Sequence, residues 1–409
     1  MGAAGIAKGS YTLFPNRGKA PAMDATDLRI ALFSGNYNIT VDGANKALNR
    51  LVGYLLRHGA QVRVYSPTVD HPEMEPTGDL VSLPSVPIPM RSEYRLSSGV
   101  NARIKRDLAA FKPNIVHVSA PDASGHRAVT WARQRGLPVV ASVHTRFETY
   151  LKYYHVGFLA PLAVALQRRF YRRCDALVAP SESMARVLRD ERMNADIGIW
   201  SRGVDRGTFN PQRRDMAWRR GLGLADDDYV IGFLSRLVME KGLDVFCDAI
   251  DALRASGVPF RVLIVGEGPA REWFEARLPD AVFAGFLAGP DLGRAVASMD
   301  TMFFPSETEA FGNVTLEAMA CAVPVVAAAA TGSENLIADG TSGRLIAPGA
   351  VAQFAEALRT YARDPQLRVE HGLAGELRCR AYDWDQINQS VAETYIRLIE
   401  RKAGLVRRT

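Results

Sequence analysis

The chain has 409 residues, 47% of them hydrophobic and 23% charged, with a formal net charge of +6. These are ordinary globular proportions that exclude a disordered or fibrous chain, and at about 150 residues per domain the length implies two or three domains. No apolar stretch approaches the roughly 20 residues of a membrane-spanning helix, and the basic balance permits anionic lipids, nucleic acid or phosphorylated small molecules without choosing among them.

Residues 1–27, rich in Ala, Gly and Pro, contain no apolar run of signal-peptide length and read as a flexible N-terminal extension. Four scattered cysteines without a Cys-x-x-Cys pair read as reduced packing thiols, so a cytoplasmic location is expected. From residue 28, short β-branched runs (LRIALFS, QVRVYS, NIVHVS, LPVVASV, DALVAP) alternate with amphipathic segments such as GANKALNRLVGYLLRHG. That alternation predicts parallel strands with crossover helices. Asp42 and Gly43 open the first helix; Gly43 lets backbone approach a ligand closely, and Asp42 suits an N-cap equally well.

Residues 66–90 hold six prolines and read as a long irregular surface insertion. His117 and His144 end two strands at the same carboxyl edge of the first sheet, with a satisfied buried histidine as the rival reading for His117. Next, Phe147, Tyr150, Tyr153, Tyr154 and Phe158 precede Arg168, Arg169, Arg172 and Arg173. On a helix these arginines form two i,i+4 pairs suited to an anionic membrane surface; a solvated basic helix end complementing its own dipole is the plain alternative. They form one local cluster with no nucleic-acid motif, so nucleic acid is not an expected partner.

The turn-rich SRGVDRGTFNPQRRD sets a boundary near residue 205, after which strand-like runs return: YVIGFLS, FRVLIVG, AVFAG, TMFFPS and VPVVAA. Arg236 and Lys241 fall on a strand-to-helix loop, where two cations can neutralise a departing diphosphate; either alone reads as an exposed base. The VGEGPARE loop, with Gly266 and Gly268, echoes a dinucleotide fingerprint but carries Arg271 at the third glycine position. In SETEAFGNVTLEAMA, Glu309 and Glu317 on one continuous helix would lie about 12 Å apart along the axis and about 80° apart around it, too far for an acid/base dyad. Gly312 and Asn313 instead start a new helix, leaving Glu309 on the preceding loop and Glu317 in the second helical turn. A helix N-terminus at Phe311 to Thr315 suits phosphate, and flanking acids suit sugar hydroxyls, so a diphosphate with sugar rings on both sides fits. The tail from YDWDQINQS reads as a helix with no strand after it, with Trp384 marking either a crossing back to the first domain or an ordinary terminal helix.

These motifs resemble the retaining glycosyltransferases of family four. The resemblance runs from residue 28 nearly to the end, and the HTRFETYLKYY stretch is similar to bacterial enzymes of the sulfoquinovosyl- and mannosyl-diacylglycerol type. It implies an α/β GT-B fold, two Rossmann-like domains facing across a cleft: an acceptor domain at 28–204, a nucleotide-sugar domain at 205–383, and a helix at 384–409 packing back on the first. It implies that Glu309 contacts donor-sugar hydroxyls and Glu317 the ribose, while Arg236 and Lys241 assist departure of the diphosphate. By the same resemblance the backbone at Phe311, Gly312 and Asn313 faces the sugar and diphosphate. Gly266, Gly268 and Phe286 lie near the nucleotide, Asp42 and Gly43 near the reacting sugar, and His144, ahead of His117, near the acceptor hydroxyl. The donor is expected to be a UDP- or GDP-sugar and the acceptor a lipid, at the inner face of the cytoplasmic membrane. With no Asp-x-Asp at a strand end, catalysis without a metal ion or other cofactor is expected. A sugar-nucleotide epimerase of the same architecture, an enzyme acting on a soluble or polysaccharide acceptor, and a non-catalytic membrane-binding protein are the rivals.

Overall fold

The computed structural model describes residues 23–40, 42–88, 91–144, 160–309, 311–330 and 332–406. In the first half, strands β1 (Arg29–Phe33), β2 (Gln61–Ser66), β3 (Asp79–Ser82), a hairpin of β4 (Ser85–Ile88) and β5 (Arg91–Ser97), then β6 (Ile115–Val118), β7 (Val139–Ser142), β8 (Ala176–Ala179) and β9 (Ile197–Ile199) follow in order. All but the hairpin form one parallel sheet ordered β3-β2-β1-β6-β7-β8-β9. The central strands are buried on both faces, which is why they read as unbroken apolar runs. The proline-rich insertion was expected to be irregular, and here the structure differs. Its residues 79–82 extend the sheet edge and its residues 85–88 pair with β5. Proline is tolerated at such edges because no ladder hydrogen bond is lost there.

The second half repeats the plan with β10 (Val230–Leu234), β11 (Arg261–Val265), β12 (Val282–Phe283), β13 (Thr301–Phe304), β14 (Val325–Ala328) and β15 (Gly343–Ile346). Their order is β12-β11-β10-β13-β14-β15, again parallel. Val204 and Phe209 already belong to this second core, so the division between the two cores falls where the turn-rich segment begins.

The helix Trp384–Val406 returns to the first domain. Its Ile387, Val391, Tyr395 and Ile396 share a buried cluster with Ile30 and Leu32 of β1 and with Leu48 and Leu51 of the Gly43–Arg57 helix. Trp384 lies flat against Gly203, where a Cβ would fall 2.6 Å from the indole ring. The two crossings between domains are thereby packed against each other.

Candidate active site

Three features of the second domain build one loop cluster. First, Gly242 takes φ +74°, a conformation that suits glycine, and closes the turn after Lys241 with its Cα against the Pro305 carbonyl. This brings Lys241 onto the loop after β13, where its ammonium pairs with Glu309; both side chains are largely buried. Second, Gly312 at φ +95° caps the Asn313–Ala320 helix without a side chain, so the helix begins directly beneath Glu309 and Phe311. Third, Gly332 packs on the same loop, its missing Cβ only 2.9 Å from the Glu309 Cβ and 2.7 Å from the Phe311 carbonyl carbon. Sequence reasoning missed Gly332, which lies in the run TGSENLI just after β14.

Arg236 stands half exposed beside this cluster and pairs with Glu240 at 3.4 Å. Its loop is held from below by the G-x-G turn. A Cβ on Gly266 would fall 1.9 Å from the Ser235 carbonyl oxygen, and one on Gly268 2.3 Å from that of Leu237. The backbones also exchange hydrogen bonds, Leu237 N–H to the Glu267 carbonyl at 2.9 Å and Ala270 N–H to the Leu237 carbonyl at 3.0 Å. The glycines are therefore explained by close packing of two loops. Gly285, at φ +73°, precedes Phe286, whose ring is 72% exposed at the end of the second sheet.

The first domain meets this cluster across the cleft. Asp42 caps the Gly43–Arg57 helix, accepting from Asn45 N–H at 2.8 Å. Gly43 lies so close to Asn313 that a Cβ would fall 2.3 Å from its side-chain nitrogen. Two helix N-termini, one from each domain, thus abut; Asp42 occupies the Ala44 and Asn45 N–H groups of the first, while the Asn313–Ala320 helix has no side-chain cap and presents its first backbone N–H groups. Burial raises the Asp42 carboxyl above its ordinary range, opposed by hydrogen bonds from the Asn45 and Ala44 amides and by the charges of Arg236 and Lys46.

Glu317, half buried in the second turn of its helix, accepts no protein hydrogen bond among the described residues, and burial lifts its carboxyl to about 7 despite the charge of Lys46 across the cleft. The folded chain binds this proton more tightly than the unfolded chain does. Stability therefore falls as pH rises between the ordinary glutamate value and about 7. In Glu317→Gln that loss is absent, so the melting temperature of the variant gains on the wild type from about pH 5 to about pH 7 and the gap stays constant above. Scanning fluorimetry without nucleotide measures this; a pH-independent gap would contradict it.

Both histidines are engaged by protein partners. His117 is fully buried, with Nδ1 at 2.5 Å from the Tyr395 hydroxyl and Nε2 at 2.9 Å from Ser142 Oγ, and burial pulls its imidazole down to about 3. It is the satisfied core histidine, and it does not open on the cleft. His144 has Nε2 at 2.8 Å from Ser142 Oγ and Nδ1 at 3.0 Å from an Arg202 guanidinium nitrogen. Both ring nitrogens are engaged, and burial, aided by Arg202, holds the imidazole well below its usual range. Arg202 itself, buried and stacked 4.7 Å over Trp200, was not picked out from the sequence, where it is one arginine among many. Lys46 was missed for the same reason.

The arginine cluster is used internally. Arg168 and Arg172 donate through Nε to the carbonyls of Glu191 (2.7 Å) and Arg192 (3.0 Å), capping the end of the Glu182–Asp190 helix, and Arg173 donates to the Thr130 hydroxyl at 2.6 Å. Arg169 is exposed. Leu162 and Leu166, one turn apart on the helix Ala160–Tyr171, are 58% and 59% exposed. The aromatic residues Phe147 to Phe158 lie outside the described residues.

Residues 41–207 match the family described as Glycosyltransferase Family 4, and residues 228–364 match Glycosyl transferases group 1. The sulfoquinovosyl transferase SQD2 of Arabidopsis thaliana is 31% identical over 378 residues, 89% of this chain and 73% of that protein. The chain belongs to glycosyltransferase family 4. Among further relatives, a GDP-mannose-dependent alpha-mannosyltransferase of Corynebacterium glutamicum is 30% identical over 78% of this family 4 chain and 76% of its own length. The alpha-monoglucosyldiacylglycerol synthase of Streptococcus pneumoniae is 23% identical over 78% and 75%. In structure, sucrose-phosphate synthase from Thermosynechococcus elongatus superposes with a TM-score of 0.76 at 21% identity, over 91% of this chain and 99% of that one. The family 4 chain thus has the GT-B architecture, two Rossmann-like parallel-sheet domains. No helix among the described residues is long and apolar enough to cross a membrane.

Proposed function

We propose that this glycosyltransferase moves a hexosyl or hexuronosyl group from a UDP- or GDP-sugar to a hydroxyl of a membrane lipid, with retention of anomeric configuration, at the inner face of the cytoplasmic membrane. The observation that carries the reading is the meeting of two helix N-termini at Gly43 and Asn313, beside Arg236 and the Lys241–Glu309 pair. A diphosphate lodged there is met by backbone N–H groups and two cations, and charge developing on the leaving group is stabilised by groups that need no rearrangement. Lysine has three N–H donors, so Lys241 can hold Glu309 and a phosphate oxygen together. Glu317, lacking a protein partner among the described residues, is placed to accept from ribose hydroxyls, and Glu309 from the transferred sugar. Phe286 offers an exposed ring to the base.

Retention follows if the acceptor attacks the face from which the diphosphate leaves and a phosphate oxygen takes its proton. The committed ring nitrogens of His144 accord with a reaction that draws no base from this histidine. Arg236 and Lys241 would supply the positive charge, without a metal ion. For the lipid acceptor, support comes from the diacylglycerol named for the Streptococcus relative and from exposed Leu162 and Leu166 on a helix of the acceptor domain. Membrane contact is assigned to this apolar face with Arg169 beside it; Arg168, Arg172 and Arg173 each place part of the guanidinium in internal hydrogen bonds, Arg172 while remaining exposed.

Purified protein incubated with radiolabelled UDP- and GDP-sugars and a bacterial lipid extract tests the reading. Label is expected in the organic phase with one donor. Label confined to soluble products would overturn the lipid acceptor, and label recovered as an altered free nucleotide sugar would favour an epimerase.

A further inference from the structure

The two domains touch at a second point across the cleft. The Glu182–Asp190 helix begins just after β8, at the carboxyl edge of the first sheet, and Ser181 caps it by accepting from Met184 N–H. The Ser183 N–H is one of the donors that a helix start leaves without an intrahelical partner, and the second domain supplies its acceptor: it donates to Asn335 Oδ1 at 3.4 Å. Asn335 Nδ2 donates to Ser183 Oγ at 2.6 Å, so one carboxamide grips the backbone and the side chain of the same residue. A backbone N–H only donates, which sets the orientation of the amide. Ser183 is buried, with 7% of its surface exposed.

Asn335 is itself held from the donor side. Its carbonyl accepts from Arg378 Nη2 at 3.0 Å and from the Tyr382 hydroxyl at 3.2 Å, and Arg378 Nε donates to the next carbonyl, of Leu336, at 2.6 Å. The Tyr382 ring meets Phe311 edge-on at 5.9 Å, and Gly332, three residues before Asn335, is the glycine packed on Glu309 and Phe311. The carboxamide and the Glu309 loop thus belong to one packed unit. In the first sheet β6 and β7 lie between β1 and β8. At about 4.8 Å per strand, the contacts at Gly43 and Ser183 stand roughly 14 Å apart, with the ends of β6 and β7 between them. One contact leaves the domains free to rock about it; two stop that rotation.

We propose that Asn335 is a positioning residue for glycosyl transfer: its grip on Ser183 fixes the acceptor domain against the Glu309 loop. The inference rests on the proposed function and adds a part for the segment after β14. That segment joins the loop that meets the donor sugar to the helix start that borders the acceptor side.

The variants Asn335→Ala, Asn335→Asp, Ser183→Ala and the double variant Ser183→Ala with Asn335→Ala test it by steady-state kinetics and by calorimetry with UDP and GDP. A third readout is the pulsed electron-resonance distance between nitroxides on Gln134→Cys and Gln353→Cys, exposed positions in the two domains; the four native cysteines are all buried. Misplacement of a reacting group by about 1 Å costs roughly 10²-fold, so Asn335→Ala is expected to lose about 10- to 10²-fold in kcat, with a longer and broader nitroxide distance. Asn335→Asp, whose carboxylate accepts from both the N–H and the hydroxyl of Ser183, is expected to stay within about threefold of wild type. Ser183→Ala keeps the N–H bond and is expected to lose about fivefold. The double variant should lose no more than Asn335→Ala alone, because both changes remove one contact. Affinity for UDP or GDP should stay within about twofold throughout, because the nucleotide rests on the second domain. An unchanged nitroxide distance in Asn335→Ala, kinetic losses that multiply in the double variant, or a loss appearing wholly as nucleotide affinity would overturn the proposal. If the wild type transfers no sugar from any nucleotide sugar, the proposed function fails instead, and the nitroxide distances alone decide whether Asn335 holds the domains.

Discussion

Lys241→Ala is expected to lower kcat for sugar transfer by about 10²- to 10³-fold, the loss seen when one preorganised donor to a developing oxyanion is removed. The reasoning starts from burial. Lys241 and Glu309 each keep 17% of their side-chain surface exposed and pair directly, so the ammonium is held at one place instead of sweeping through solvent. A charge in such a partly water-excluded position acts more strongly on a phosphate oxygen than a solvated lysine would. The charge on the leaving diphosphate grows as the glycosidic bond breaks, so the loss should fall mainly on kcat, with the Michaelis constant for donor changing less. Alanine also leaves Glu309 without this cation next to an incoming diphosphate, which adds repulsion. Glu309→Gln separates the two effects by removing the acid and keeping Lys241. Steady-state kinetics on both variants measures this, and a Lys241→Ala enzyme within threefold of wild-type kcat would remove the lysine from the reaction.

Gly266→Ala is expected to lower the melting temperature by about 10 °C and to weaken nucleotide binding at least about tenfold, by two additive causes. Overpacking against the Ser235 carbonyl costs about 1–3 kcal/mol, and forcing alanine to the φ of +135° found there costs a further ~1–3 kcal/mol. The atoms met are backbone, so relief comes only by moving the 235–237 segment, and Arg236 moves with it. Gly268→Ala should act alike, through the Leu237 carbonyl. Gly221→Ala is the control: a Cβ there meets nothing within 4 Å. Melting curves and calorimetry with UDP and GDP check these expectations. A stable Gly266→Ala protein with normal nucleotide affinity would show that the two loops are not coupled.

Much of this architecture is legible in the sequence because parallel strands covered on both faces leave a plain mark. VIGFL, RVLIV and TMFF are short unbroken apolar runs, and each became a strand within a residue or two of where the run suggests. The break between Glu309 and Glu317 is legible too, since Gly312 and Asn313 interrupt any helix joining them. Other parts leave no local mark. The strand at 79–82 hides among prolines, and the GRLI strand β15 is four residues with an arginine in the middle. The glycines of the G-x-G turn pack on the carbonyls of a loop some thirty residues earlier in the chain, a neighbour that the motif alone does not name. The Tyr395–His117 bond spans 278 positions and exists only because the last helix returns to the first sheet. No spacing rule reads such a contact, nor the Arg202–His144 bond across 58 positions.

The central claim is that one nucleotide diphosphate sits where the Gly43 and Asn313 helix ends meet. A crystal structure of the protein with UDP or GDP tests it most directly. The account predicts phosphate oxygens within hydrogen-bond reach of Lys241 Nζ, the Arg236 guanidinium and the first backbone N–H groups of the Asn313–Ala320 helix, with ribose hydroxyls on Glu317. A nucleotide bound elsewhere, or lying in the cleft with its phosphates turned away from Lys241 and Asn313, would contradict it.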